Sequence, residues 1–116
     1  MNVVAATICM VWGFVIHVFT DWLVQTDWMA QNKASLKHAA SWAHGFSFFP
    51  LFLIIFPWYI AFLLSLSHVL IDTRVPVKWF FKVAKKTDLF WLVICVDQAL
   101  HIALIAIASL VVGFMS

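Results

Sequence analysis

Three pairs of a histidine and an aspartate stand four residues apart in this chain: His17 with Asp21, His68 with Asp72, and Asp97 with His101. Four residues is just over one helical turn, so the members of each pair share a helix face. The chain holds only five histidines and five acidic residues, all aspartates. The pairs lie in or at the edge of apolar runs, where an ionisable side chain is expensive and is retained for function. Imidazole with carboxylate is a ligand set for zinc, manganese or iron(II). With His44 added, the candidate ligands are His17, His44, His68, His101, Asp21, Asp72 and Asp97. That is more than one tetrahedral zinc with an open position requires. The set suits two ions, or one ion whose imidazoles are oriented by carboxylates behind them. Three carboxylates in a low-dielectric region also need a compensating cation. A metal, protonated histidines or a lysine reaching in would each supply it.

The elements that carry these pairs are expected to be membrane helices. The chain of 116 residues is 66% hydrophobic and 10% charged, with a mean hydropathy of +1.04. A soluble domain of this size cannot hide so much apolar surface. The apolar runs are continuous rather than alternating, which excludes a β-barrel. The fold class expected is therefore an all-α, integral membrane four-helix bundle in a single domain. Cys9 and Cys95 lie inside apolar runs with no CxxC partner and read as small packing residues. No basic residue precedes the first apolar run and no Ala-x-Ala spacing follows it, so a removed signal peptide is not expected.

Four spans are expected at about 3–23, 36–55, 57–73 and 89–115. The middle two are ambiguous, because the apolar core from Gly45 to Ser67 would serve as one span. Read as two, it turns at Phe56-Pro57-Trp58, with Pro57 at the first helical position, where its missing N–H costs nothing. The alternative is three spans plus an interfacial helix. All seven basic residues fall in two segments, Lys33 and Lys37 in one and Arg74, Lys78, Lys82, Lys85 and Lys86 in the other. Four spans put both segments on one side, which the positive-inside rule makes cytoplasmic, with the termini on the other. Three spans separate them.

Four spans also arrange the pairs by depth. Aspartate precedes histidine only in the helix that runs back outward, so every histidine falls in an inner layer and every aspartate in one nearer the cytoplasm. Gln25, one turn beyond Asp21, is placed to hydrogen-bond a ligand or substrate. Gln98 is a weaker candidate, one residue off the Asp97–His101 face. Gly13 offers close approach to a neighbouring helix, and Ala99, Ala103 and Ala106 offer a small-residue contact face. Thr87 is placed to cap the last helix. Lys33 and Lys37 suit lipid headgroups, and His38 is read as solvent-facing. Residues Val75 to Lys86 read either as a short basic helix in the leaflet or as a charged loop that only sets topology.

The full pattern runs from His17-x-x-x-Asp21-x-x-x-Gln25-Thr26-Asp27-Trp28-Met29-Ala30-x-x-Lys33, through His44 and Ser67-His68-x-x-x-Asp72, to Asp97-Gln98-x-x-His101. It resembles DUF3307, a family of small bacterial and phage membrane proteins of unknown function. The Phe-rich, Pro-interrupted middle, Phe46 to Trp58, departs from the family pattern. The resemblance implies a multi-helix protein of the bacterial inner membrane and supplies no reaction. The His/Asp layout is also distantly similar to that of membrane-bound metal-dependent hydrolases of another family.

Three functions fit the residues. The first is a metal-dependent hydrolase acting at the cytoplasmic leaflet on a lipid or lipid-linked phosphate. A bound divalent ion would activate water, one of Asp21, Asp72 and Asp97 would serve as base, and Arg74, Lys78 or Lys82 would lie near the headgroup. No serine or cysteine nucleophile motif is present to support covalent acyl chemistry. The second is a proton or ion transport module. The third is a non-catalytic accessory or assembly protein whose His–Asp bonds fix helix packing, with seven Trp and twelve Phe offered to lipid or a partner. Membrane lipids, a membrane-protein partner or a second copy are the partners expected. Nucleic acid is not, because topology already accounts for the basic segments.

Overall fold

The structure is a computed structural model that describes residues 1–116, and all its regular elements are helical. Helix α1 (Val3–Phe19) is capped by Asn2, whose side chain accepts from the Ala5 N–H at 3.0 Å. It continues without a break into a π turn at Thr20–Val24. The last helix, α7 (Phe90–Met115), lies antiparallel to it. At one end the Asn2 N–H donates to the Gly113 carbonyl at 2.6 Å, and at the other His17 meets Gln98. Between them Gly13 faces Ile105. A β-carbon on Gly13 would fall 2.6 Å from Ile105 Cγ2, so its absence sets the α1–α7 spacing. Helix α7 buries His101, Ile105, Ala108, Ser109 and Gly113. Ala99 and Ala103 are exposed, so the expected alanine contact face points elsewhere. The buried stripe instead continues His101 at helical spacing.

The middle of the chain is a bent hairpin. Helix α2 (Asp27–Asn32) is capped by Thr26, and α3 (Ala39–Ser47) by His38, whose ring Nδ1 accepts from the Ala40 N–H at 3.1 Å. His38, expected in solvent, is half-buried beside Trp28. The expected span 36–55 begins at Ala39 and breaks at Phe48 before the single turn α4 (Phe49–Phe52). Pro50 occupies the first turn of α4 and has no N–H to continue the ladder from α3. After a turn at 53–57, α5 (Trp58–Asp72) returns, with Pro57 just before the helix rather than its first residue. The backbone of this apolar turn is satisfied internally. Ile54, Ile55 and Phe56 donate to the carbonyls of Leu51 and Phe52, and the Cys9 thiol donates to the Ile55 carbonyl at 3.3 Å. Phe48, Phe52 and Phe56 form the core with Leu64 and Ile105.

Gly45 is where α3 lies closest to α5. A β-carbon there would collide with Val69 and come within 3.2 Å of the Ser65 carbonyl. We expect Gly45→Val to lower stability by about 1–3 kcal/mol, as overpacking does, measured by thermal unfolding in detergent. Gly45→Ala should show a smaller loss of the same kind.

Helix α6 (Val75–Ala84) buries Val77 and Phe81 and exposes Lys78, Trp79, Lys82 and Val83. It is bent 64° from α5. Both flanking residues, Arg74 and Lys85, adopt left-handed backbone at φ 64° and 53°. Leu89, not Thr87, precedes α7. The Thr87 carbonyl accepts from the Leu89 N–H at 3.0 Å instead of its hydroxyl capping the helix.

Two helices, Val3–Val24 and Phe90–Met115, are long and apolar enough to cross a membrane, and α5 with α6 adds a third if the bent pair is one span. Helix α5 alone has 15 residues, about 22 Å against a hydrocarbon core of about 30 Å. Lys33 and Arg74 flank the hairpin in sequence yet line one cavity. The chain between them therefore goes out and comes back, bringing these two members of the two basic segments to one end of the molecule.

Candidate metal centre

Four elements bring their polar side chains to one point. Asp21 comes from the π turn, His44 from α3, His68 and Asp72 from the end of α5, and His101 from α7; all five are buried. The Nε2 atoms of His44 and His68 are 3.0 Å apart. His44 Nε2 lies 3.0 Å from Asp21 Oδ1 and 3.3 Å from Asp72 Oδ2. His68 Nε2 lies 3.7 Å and 3.3 Å from the same two oxygens. Two triangles of ligand atoms thus share the His44–His68 edge. For bonds of about 2.0–2.2 Å to zinc, neighbouring ligands in a tetrahedron stand about 3.3–3.6 Å apart. Both triangles have close to the size of one tetrahedral face. A third grouping of ligating atoms comprises His68, Asp72 and His101.

Hydrogen bonding alone does not satisfy this arrangement. Each imidazole has at most one proton at Nε2, yet each Nε2 here faces another Nε2 and two carboxylates. If both rings carry that proton, two N–H groups oppose each other. If one lacks it, a lone pair faces carboxylate oxygens. His101 repeats the problem. Its Nδ1–H donates to the Asp97 backbone carbonyl at 2.8 Å, which leaves the Nε2 lone pair 3.7 Å from Asp72 Oδ1. Both Asp72 oxygens and His101 Nε2 are buried without a hydrogen-bond partner. A ring N–H held by a carbonyl, with the other nitrogen free among carboxylates, is the usual posture of a metal-ligating histidine. The donor set fits a divalent cation of the zinc, manganese or iron(II) type.

The remaining candidates surround this centre. His17 is buried, and its ring stacks on that of His101 with centroids 5.0 Å apart. Its Nε2–H donates to Gln98 Oε1 at 3.0 Å, so that nitrogen is turned away from the shared point. Gln98 uses its amide in full: Nε2 also donates to Asp21 Oδ2 at 2.9 Å and Asp97 Oδ2 at 3.2 Å. Gln98, although one residue off the Asp97–His101 face, thus ties His17 and two carboxylates together across α1 and α7. Gln25, to which the spacing points, lines the cavity above, and its Oε1 has no partner. The π turn explains the exchange, because it breaks the four-residue stripe that would have carried Gln25 beneath Asp21. Asp97 also lines the cavity, with Oδ2 3.8 Å from His101 Nδ1, and belongs to none of the ligand groupings.

Two contributors were not assigned to the site from sequence. Lys33, expected at headgroups, reaches in to 3.3 Å from Asp21 and 3.5 Å from Asp72. The need of buried carboxylates for a cation was the signal, and Lys33 is the lysine nearest to Asp21 in sequence. Phe48 is fully buried and lies against His68 with ring centroids 3.9 Å apart, also flanking His17 and His44. No spacing rule marks it.

The site has two sides. Asp21, Asp72, Asp97, Lys33, Gln25 and Gln98 line an open cavity of about 460 Å³. His17, His68 and His101 line a much smaller space walled by Phe52, Leu64 and Ile105. Carboxylates thus face the opening, and imidazoles face the apolar core.

No curated protein and no solved structure matches the chain. The family described as "Protein of unknown function (DUF3307)" matches residues 9–116, a stretch that includes every side chain of this centre, and the chain belongs to that family.

Proposed function

We propose that the chain is a single-domain membrane protein built around a divalent-metal centre, acting as a metal-dependent hydrolase on a lipid or lipid-linked substrate. The observation that carries this reading is the convergence of His44 and His68 Nε2 on each other and on two carboxylates within 3.0–3.7 Å. Asp21, His44, His68 and Asp72 hold the ion, and His101 extends the set toward a second one. A divalent cation in such a site polarises water and a substrate oxygen. Asp97, at the cavity wall and outside the ligand groupings, accepts the proton of the attacking water. Gln98 fixes that carboxylate and Asp21 in place. The Phe48 side of the cluster excludes water, so attack comes only from the cavity.

In the membrane, α1 and α7 cross fully, and the α3–α5 hairpin enters from the cavity side and turns back short of the far face. The four elements complete a bundle. Leu53, Ile54 and Trp58 at the hairpin tip are exposed apolar side chains, as a lipid-embedded turn requires. With the basic segments at the cavity end, that end faces the cytoplasm of a bacterial inner membrane, and both termini face away. Membrane lipids cover the exposed apolar helix faces, where a second copy or a membrane-protein partner would also dock.

Protein purified without a histidine tag, in phosphate-free detergent, is expected to hold one or two equivalents of zinc, manganese or iron by elemental analysis. Asp97→Asn should keep that metal and lose at least about 100-fold in hydrolysis, the usual range for general-base loss. Metal-free protein after incubation with all three ions would end the proposal. Metal retention without turnover of any phospholipid or lipid phosphate would move the reading to a non-catalytic accessory protein.

A further inference from the structure

The cavity above the metal centre carries cations, Arg74 and Lys33, to which the proposed hydrolysis assigns no particular atom of the substrate. Arg74 lines it together with the three aspartates and makes no ion pair with any carboxylate of the chain. Arg74 also lines a second cavity of about 340 Å³, together with Lys78, Lys82 and Lys86 and a single acidic residue, Asp88. The two cavities share Arg74 and Val93. A basic track therefore runs from the outer face of α6 to the metal centre, and Arg74 is the cation common to both cavities.

The backbone at Arg74 supports a specific role. Its φ of 64° and ψ of 3° lie in the left-handed region, which is unfavourable for a residue with a long side chain. It serves α6 as N-cap residue without any side-chain hydrogen bond to the helix. Asparagine or glycine would do that structural task at lower strain. The strained position does set the guanidinium at the junction of the two cavities.

We infer that this junction binds a phosphate group, held by the Arg74 guanidinium beside the metal centre. A planar guanidinium matches two phosphate oxygens in a bidentate contact, which a lysine cannot reproduce. Lys33 joins it once a metal takes over the charge of Asp21 and Asp72 and frees the ammonium group. Lys78, Lys82 and Lys86 draw the anion in from the α6 surface. The groups facing the phosphate are thus Arg74 and Lys33 as cations and Asp21, Asp72 and Asp97 as carboxylates, the first two neutralised by metal. Trp22, Val93 and Ile94 line the same cavity and provide an apolar wall for whatever the phosphate is attached to. This inference names the substrate class of the proposed hydrolase and rests on that reading for the role of Lys33, but not for that of Arg74.

The test is calorimetric titration of the full-length, zinc-loaded chain in maltoside micelles, with inorganic phosphate and dioctanoyl phosphatidic acid as probes. Bound zinc is assayed in every sample. Arg74→Gln should weaken binding by at least ten-fold, and Arg74→Lys by less, with zinc content unchanged. Lys85, which flanks the other end of α6, lines neither cavity, and Lys85→Gln removes the same charge but should change affinity less than three-fold. Phosphatidic acid binding ten-fold tighter than phosphate identifies a lipid headgroup as the source. Equal affinity identifies free phosphate. The inference is overturned if neither probe binds, or if Lys85→Gln weakens binding as much as Arg74→Gln, which is the mark of diffuse surface attraction. A sample that carries zinc yet binds no phosphate rejects the phosphate site alone. One that binds phosphate through Arg74 without zinc rejects the metal reading alone.

Discussion

His44→Ala and His68→Ala are each expected to lower zinc affinity by 100-fold or more, whereas His17→Ala should lower it by about ten-fold at most. Apparent binding free energies for four-ligand zinc sites are about 10–16 kcal/mol, or roughly 3 kcal/mol per ligand, and 1.4 kcal/mol is a factor of ten. His44 and His68 present Nε2 to the shared point, 3.0 Å from each other. His17 presents its Nε2–H to Gln98, so its loss acts only through the orientation of that amide and of Asp21. Removing such an outer partner usually reduces affinity by 10- to 100-fold, and Gln98 keeps its two carboxylate bonds in this variant, which puts the effect at the lower end. Competition titration against a chromophoric chelator gives the constants, and helicity by circular dichroism guards against unfolding. Equal losses in all three variants would mean that the imidazoles act as a packed block and that no ion sits between His44 and His68.

The ordering of those three histidines could not be read from the sequence, and the reason is geometric. Spacing places residues on a helix face but does not rotate that face against its neighbours. On α5 spacing sufficed, and His68 and Asp72 touch at 3.3 Å, whereas on the equally regular α7 the His101 ring bonds the Asp97 backbone carbonyl and the Asp97 carboxylate stays outside the ligand groupings. In the first pair the π turn intervenes, and Asp21 meets Gln98 at 2.9 Å and His44 at 3.0 Å, both on other helices. A π turn leaves no compositional trace, so four-residue spacing points to Gln25, while Gln98 makes the contacts. The long helices and the hairpin at Pro57 are legible, because hydropathy and a missing N–H act locally, whereas clustered lysines alone do not distinguish the helix α6 from a charged loop. The break before Pro50 and the packing of Phe48 under the imidazoles are not legible either. The first needs the α3–α5 contact at Gly45 to make a bent half-length helix worthwhile, and the second depends on the filled interior that the bend creates. Sequence alone puts Lys33 at the lipid surface, because a lysine in a polar connection normally belongs there. Only the fold-back of the short helix α2 brings its ammonium over two aspartates.

Lys33→Met tests whether that ammonium stands in for a metal. Lys33 lies 3.3 Å from Asp21 and 3.5 Å from Asp72, with its side chain 19% exposed. Removing one partner from a buried charge cluster costs about 3–5 kcal/mol. Residual solvent at Lys33 reduces this to about 2–3 kcal/mol of stability lost without metal. With a divalent ion among the same carboxylates the sign reverses. Lys33 is then a like charge beside the ion, and a pair of unit charges at 4 Å interacts by about 4 kcal/mol at an effective dielectric constant of 20. Lys33→Met should therefore bind zinc at least ten-fold more tightly than the unmodified chain while being less stable without it. Thermal unfolding in maltoside, with and without saturating zinc, gives both numbers: a lower midpoint for the metal-free variant and a larger shift on adding zinc. Lys33→Arg keeps the charge and should behave like the original lysine. A variant destabilised equally with and without zinc would show Lys33 to be an ordinary structural ion-pair partner, and the carboxylates beneath it to be compensated by lysine and imidazole alone.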